Sequence, residues 1–380
     1  MKVQRLGLEH YEEILGLLNE VFSRQNGKEM DFEKDLPKLS VHSAANAQKH
    51  CGIFEDGKLV ACMGVYPFET VVAGQKLLFC TMGNVVVHWD YEGRGYMSEM
   101  LKWAKQEMKE LNIDVGRLGG LRSRYNRYGF EACGMNYSFT LTGKNCLRKF
   151  PLYKGGIAFK KITRDDREAL AFAAKLYNAN AIAVTRTPED AYLSMTAWRS
   201  TPYLALKEGR PIGYLSVSPV VANISEVYAV DCEALQDVLC GWQERMNTTL
   251  HFQLQQHQAE EVKVFSAACE SFSMASPSHF FIQNWAETVD AFMKLKASYC
   301  TLPKGEIKIG IENYGTIRVY ADENGAGCEK TPDAPDVQLD HLAATRYVFG
   351  PCASVYTAEA SLFAQACFPL PLSWNGQDRV

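Results

Sequence analysis

The spacing of apolar and polar positions along the chain changes period several times, and each change predicts an element. Tyr11, Ile14, Leu15, Leu18 and Val21/Phe22 recur at helical spacing, which predicts an amphipathic helix near the start. An acidic stretch follows, with Glu29, Asp31, Glu33 and Asp35; it reads either as a solvated helix face or as the rim of a pocket that attracts amines. The pattern then becomes strand-like. CGIFEDGKLVACMGVYP turns at Asp56-Gly57 and FETVVAGQKLLFC at Ala73-Gly74, between runs rich in Val, Leu and Phe, so two hairpins are expected. VVVHWDYEGRGYMSEML, from Val85 to Leu101, runs from a β-branched strand through a glycine turn into a helix. That helix should extend from about Tyr96 to Leu111, with Met97, Met100, Leu101, Ala104, Met108 and Leu111 as its apolar stripe. A strand at Val115–Leu118, the segment SRYNRYGFEACG and a strand in MNYSFTLTG complete a first unit.

The tract Leu147–Gly156 reads as a linker, and the pattern restarts after it. Asp165 to Tyr177 is helical in spacing. YLALKEGRPIGYLSVSP, turning at Glu208-Gly209, resembles GIFEDGKLVACMGVYP of the first half. EVYAVDCEALQDVLCGW occupies the slot of the glycine turn, with Asp231, Cys232 and Glu233 where glycines stood, so the second unit is a degenerate repeat of the first. From about Asp290 the character changes again. GEIKIGIENYGTIRVY alternates with Ile307, Ile309 and Ile311 on one face, and DVQLDHLAATRYVFG is a short helical piece. Pro369 and Pro371 favour an extended tail. The expected fold class is α+β, in mixed α/β layers.

Composition narrows the function. In 380 residues with a formal net charge of −4, no basic cluster suggests a nucleic-acid partner. Twelve cysteines are scattered with no C-x-x-C pair, which suits reduced thiols in a cytoplasmic protein and gives no zinc spacing. The histidines are dispersed too, and His251 and His257 match no metal-binding motif. The charged N-terminal stretch does not read as a signal peptide, and no apolar run approaches the roughly 20 residues of a membrane span. Neither a membrane nor a metal is expected as a partner.

The glycine turn carries the most chemistry. Amides at a helix N-terminus lack intrahelical partners and carry partial positive charge. Glycine lets a ligand approach the main chain closely, so the expected cargo is a phosphate or pyrophosphate. The turn lacks the Lys-Ser/Thr of a P-loop, and the antiparallel hairpins before it do not fit a dinucleotide-binding unit.

VVVHWDYEGRGYMSEML resembles motif A of the GNAT acetyltransferases, and RYNRYGFE resembles their motif B. The family pattern is Arg/Gln-x-x-Gly-x-Gly/Ala. Here Glu92 stands at its first position and Met97 at its last. A bulky residue at the last position is similar to the enhanced intracellular survival (Eis) subfamily. That subfamily joins a GNAT domain, a second GNAT-like domain and a sterol-carrier-protein-like domain. The resemblance implies tandem GNAT folds over 1–148 and 149–287 and a sterol-carrier-like domain over 288–380, whose tail enters the active site.

It further implies acetyl-CoA as cosubstrate. Its pantetheine arm would pair with Val85, Val86 and Val87 on a strand that splays from its neighbour, and its pyrophosphate would rest on Gly93, Arg94, Gly95, Tyr96, Met97 and Ser98. Tyr125 takes the position of the general acid; an unperturbed phenol, with a pKa near ~10, is protonated at neutral pH. The Val380 carboxylate takes the position of the base. The expected activity is N-acetyl transfer to a primary amine of a small cationic molecule or a lysine-containing peptide, and some members of the family form homo-oligomers. The alternatives are a non-catalytic acyl-CoA-binding regulatory protein on this scaffold, which the charge of Glu92 favours, and a lipid-binding module built on the third domain.

Overall fold

The computed structural model describes residues 2–378. Strands in four sheets, with helices packed on their faces, give the expected α+β class. The first sheet holds β1 (Gln4–Arg5), β2 (His50–Glu55), β3 (Lys58–Val72), β4 (Gln75–Val87), β5 (Val115–Leu118) and β6 (Glu131–Cys133). Both expected hairpin turns form. Asp56 and Gly57 have φ 49° and 78°, and Ala73 and Gly74 have φ 48° and 84°. Two successive left-handed residues give the turn whose twist matches that of the flanking strands.

Helix α1 (Tyr11–Asn26) buries Tyr11, Ile14, Leu15, Leu18 and Val21 and stops at Gly27. Helix α2 (Tyr96–Glu110) buries Tyr96, Met100, Leu101, Ala104 and Met108 and packs on β3 and β4. Two positions depart from the predicted stripe: Met97 is only half-buried, and Leu111 lies past the helix end, exposed.

The next strands cross between units. They are β7 (Asn136–Leu141), β8 (Ile157–Lys161), β9 (Ile182–Val184), β10 (Thr201–Lys207), β11 (Arg210–Val217), β12 (Ile224–Ala229), β13 (Leu250–Gln255), β14 (Ser271–Ala275) and β15 (Ser278–Ile282). MNYSFTLTG, expected in the first unit, supplies β7. That strand leaves the first sheet and lies between β13 and β14, with Leu141 opposite Leu250 and Thr140 opposite Ser271. In return β15 enters the first sheet between β5 and β6, pairing Ile282 with Val115 and Ser278 with Cys133. A single cut at 148/149 therefore does not separate two self-contained sheets. The corner before β7 is held from outside: Gly134 and Met135 donate to the carbonyls of Phe349 and Leu372. A Cβ on Gly134, whose φ is 73°, would stand 2.4 Å from the Leu372 oxygen.

The second unit has α3 (Arg167–Asn178), α4 (Pro188–Met195), α5 (Cys232–Met246) and α6 (Ala259–Ala268) among its strands. Its run β10-β11-β12-α5-β13 has the element order of β2-β3-β4-α2-β5, whereas β9, between α3 and α4, has no counterpart in the first unit. The third opens with α7 (Trp285–Tyr299), which starts earlier than the expected Asp290. Its sheet, made of β16 (Gly305–Ile311), β17 (Gly315–Asp322), β18 (Gly325–Thr331) and β19 (Val337–Leu339), has the order β18-β17-β16-β19, and α8 (His341–Phe349) follows. Ile307, Ile309 and Ile311 are buried, as their alternation predicts. The tail after Cys367 is not helical until Gly376 and buries Leu370, Leu372 and Trp374. These side chains share one core with Phe79 of β4, Phe280 of β15 and Phe292 of α7.

Candidate active site

The site begins with a distortion in β4. Asn84 has φ 55°, and the β3–β4 register shifts there, from Gly64↔Gly83 to Cys62↔Val86. The parallel pairing of β4 with β5 ends at Met82↔Leu118. Beyond it β4 runs on without β5, which ends at Leu118. Val86 turns into the core under α1; Val85 and Val87 face a cavity of about 410 Å³.

The strand continues through a turn at Trp89–Tyr91 to Gly93 and Gly95, with φ 76° and 84°. A Cβ at either glycine would meet nothing within 4 Å. Their requirement is therefore the left-handed backbone, which an L side chain resists. Helix α2 starts immediately after, and Gly95 offers no side chain to cap it. Its first amides, including Tyr96, Met97 and Ser98, lack intrahelical acceptors and line the same cavity as Glu92, Gly93 and Gly95. The second unit handles the equivalent junction differently: Asp231 caps α5 by accepting from the Ala234 amide at 2.7 Å. Its own carboxylate sits where an anion would bind.

The charged residues differ from the sequence-based expectation. Arg94 turns away from the cavity, pairing with Glu55 at 2.8 Å and stacking on Tyr91. The cations lining the cavity are Arg124 and Arg127, from the turn spanning Arg122–Tyr128. SRYNRYGF contains both, beside the Tyr125 that the resemblance singles out. Tyr128 bonds Ser98 in the first turn of α2 at 2.6 Å. Tyr125 is 4% exposed, sits in the core with Tyr96 and Leu118, and is not among the residues lining the cavity. Burial raises its pKa, and the hydrogen bond and charge of Arg124 partly offset the rise.

A buried polar chain links the distorted strand to a second cavity. The Asn84 amide donates to the Tyr66 hydroxyl at 2.7 Å, and that hydroxyl bonds His50 Nε2 at 2.8 Å. Burial lowers the His50 pKa to about 4, so its ring is neutral. Tyr66 lines the second cavity, of about 210 Å³, together with Leu36, Lys38, Leu39, Lys49, Pro67, Phe68, Val184, Thr185, Asp190, Ala197, Gln377 and Asp378.

The tail reaches this cavity with most of its residues buried, Gln377 and Asp378 among them. Trp374 packs on Phe68 and Phe79. Gln377 donates to the Met195 carbonyl. Asp378 accepts from Arg186 at 2.9 Å and from the Tyr177 hydroxyl at 2.5 Å. Val380, the expected base, lies outside the described residues.

The acidic stretch is engaged elsewhere. Asp31 caps the turn Phe32–Asp35 and pairs with Lys34. Glu33 accepts from the Tyr11 hydroxyl, and Asp35 is buried against Arg199 at 2.5 Å. Glu29 is exposed, and Phe22 packs on Phe32. None of these residues lines the second cavity.

Residues 2–133 match the family model described as an acetyltransferase (GNAT) domain. The match ends with β6, where the chain leaves the first sheet. The first unit thus carries the match to an acetyltransferase (GNAT) domain. A search of curated proteins gives no match. Several solved structures share the fold along nearly the whole chain. A GCN5-related N-acetyltransferase from Anabaena variabilis aligns with TM-score 0.70 at 14% identity, covering 98% of both chains. A probable N-acyltransferase from Enterococcus faecalis aligns with TM-score 0.68 at 15% identity, over 97% of this chain and 98% of that one. Eis1 from Mycobacterium abscessus aligns with TM-score 0.66 at 13% identity, over 99% and 98%.

Proposed function

We propose that the protein transfers an acetyl group from acetyl-CoA directly to a primary amine. The observation that carries this reading is the uncapped start of α2, whose amides open on one cavity with Arg124, Arg127 and the free edge of β4. The donor set suits the diphosphate of coenzyme A: main-chain amides at the positive end of a helix dipole and two guanidinium groups. The edge at Val85–Val87 suits the amide-bearing pantetheine arm, which would add as a strand.

In the reaction the neutral amine nitrogen attacks the thioester carbonyl carbon and a C–N bond forms. The developing oxyanion takes a hydrogen bond from the β4 main chain near Val85. The C–S bond then breaks, and the thiolate receives the Tyr125 proton. Burial, by raising the Tyr125 pKa, keeps that proton in place at neutral pH. The amine gives its proton to a base, which we assign to the Val380 carboxylate. The burial of Gln377 and Asp378 in the tail supports this assignment.

Calorimetry with acetyl-CoA, followed by a thiol-release screen over a panel of amines on untagged protein, tests the proposal. Binding with thiol release supports it. No heat from acetyl-CoA would sink it. Binding with no turnover on any amine would favour a regulatory acyl-CoA-binding protein, the reading that Glu92 on the cavity wall supports.

A further inference from the structure

The second cavity carries an unbalanced charge. Four charged residues line it: Lys38, Lys49, Asp190 and Asp378. Both carboxylates are satisfied within the protein. Asp378 is held by Arg186 and Tyr177. Asp190 accepts from the Thr187 amide and hydroxyl at 3.2 and 2.7 Å. Lys38 leans on Asp378 at 3.8 Å and on Ser194 at 3.3 Å. Lys49 is half-buried, and among the described residues its ammonium has no hydrogen bond or ion pair. Its backbone is fixed, because its carbonyl accepts from the Val65 amide of β3 at 2.8 Å. Burial, with the neighbouring Lys38 charge, lowers its pKa; the cation is poorly solvated and like charge adjoins it. An anion entering here would relieve both conditions. The other walls, Leu36, Leu39, Pro67, Phe68 and Val184, are apolar, and the volume of about 210 Å³ is below that of a drug-sized pocket. Through Tyr66, which lines it, the cavity lies one hydrogen bond from Asn84 and the distortion in β4.

We infer that this cavity is the acceptor pocket and that the acceptor is a small amine with an apolar body and a carboxylate, the size of an amino acid, with Lys49 binding the carboxylate. The inference rests on the acetyltransferase reading and replaces the cationic substrate class: Asp31, Glu33 and Asp35 are engaged within the protein, and Glu29 is exposed and does not line this cavity. The chemistry of transfer is unchanged; Lys49 sets specificity and donates no proton to the reaction.

Matched acceptors that differ only at the carboxylate provide the test: leucine, leucinamide and isoamylamine, with thiol release at saturating acetyl-CoA. On the wild-type protein kcat/KM for leucine should exceed that for leucinamide by about ten-fold or more, the scale of a charge-assisted hydrogen bond. Lys49→Met should bring that ratio to about unity, Lys49→Arg should largely retain it, and Lys49→Glu should invert it. Circular dichroism identifies any variant that misfolds, and the wild-type ratio needs no variant. Leucinamide or isoamylamine preferred by the wild-type protein, or a ratio unmoved by Lys49→Met, overturns the inference while leaving acetyl transfer standing. No thiol release from any amine overturns both.

Discussion

Replacing Arg186 by methionine removes the cation on which the tail is anchored. The guanidinium is fully buried. It makes two bonds of 2.9 Å to Glu226, bonds of 2.9 and 3.3 Å to Asp378, and lies 3.5 Å from the centroid of the Tyr177 ring. Without it the two buried carboxylates lose their shared guanidinium; among the described residues Glu226 keeps only the Tyr214 hydroxyl, and Asp378 the Tyr177 hydroxyl and Lys38 at 3.8 Å. Breaking a buried ion pair by removing one partner costs about 3–5 kcal/mol. An unfolding entropy of ~2.1 cal/mol/K per residue gives about 0.8 kcal/mol/K for a chain of this size, so Tm should fall by about 4–6 °C if unfolding is one transition. Asp378→Asn is milder, because Arg186 keeps Glu226; about 1–3 kcal/mol is expected. Scanning calorimetry gives both numbers, and proteolysis at the C-terminus reports release of the tail. Arg186→Met within about 1 kcal/mol of wild type, or Asp378→Asn as costly as Arg186→Met, would refute the reasoning.

Tyr125→Phe should retain acetyl-CoA binding while turnover falls by about 10²-fold or more, as read by calorimetry beside thiol release. Arg124→Gln and Arg127→Gln should each raise KM for acetyl-CoA by roughly ten-fold, an effect that shrinks in salt; Arg94→Gln, whose side chain is held by Glu55, should not. Glu131 is buried between Arg122 and Arg346. Burial pushes its pKa up, but the Arg122 hydrogen bond, the Ala132 amide and the charges of Arg122 and Arg346 outweigh it, so the folded pKa is depressed. Its stabilisation is then present above the unfolded value near ~4.3 and is lost as pH falls through the lower folded value. The gap in urea midpoint between wild type and Glu131→Gln should hold above about pH 5 and close in more acidic solution. A fragment covering 1–148 should fail to fold as a soluble monomer, because β5 and β6 lose the strand between them and β7 loses both partners; a monomeric fragment with native circular dichroism would contradict this.

What the sequence made legible is what its local patterns determine. The α1 stripe, the left-handed turns at Asp56-Gly57 and Ala73-Gly74, and the glycine turn into α2 depend on residues within a few positions of one another, and each appears where expected. The strand exchange does not work that way. β7 and β15 alternate as strands in any sheet do, and alternation names a face, not a partner. What selects the partner is the corner at Gly134, which is fixed by carbonyls more than 200 positions away in the chain. The same distance hid the charges. Asp35 looked free to meet an amine because Arg199 is remote in sequence, and Arg94 looked like a phosphate ligand because Glu55 is. Once such pairs are made, the charges left for ligands are those with no internal partner. In the first cavity those sites are the amides of α2 with Arg124 and Arg127, which pair with no carboxylate among the described residues; in the second, among the described residues, it is Lys49. A ligand site in this chain is therefore found by subtraction, and only the folded structure supplies the pairs to subtract.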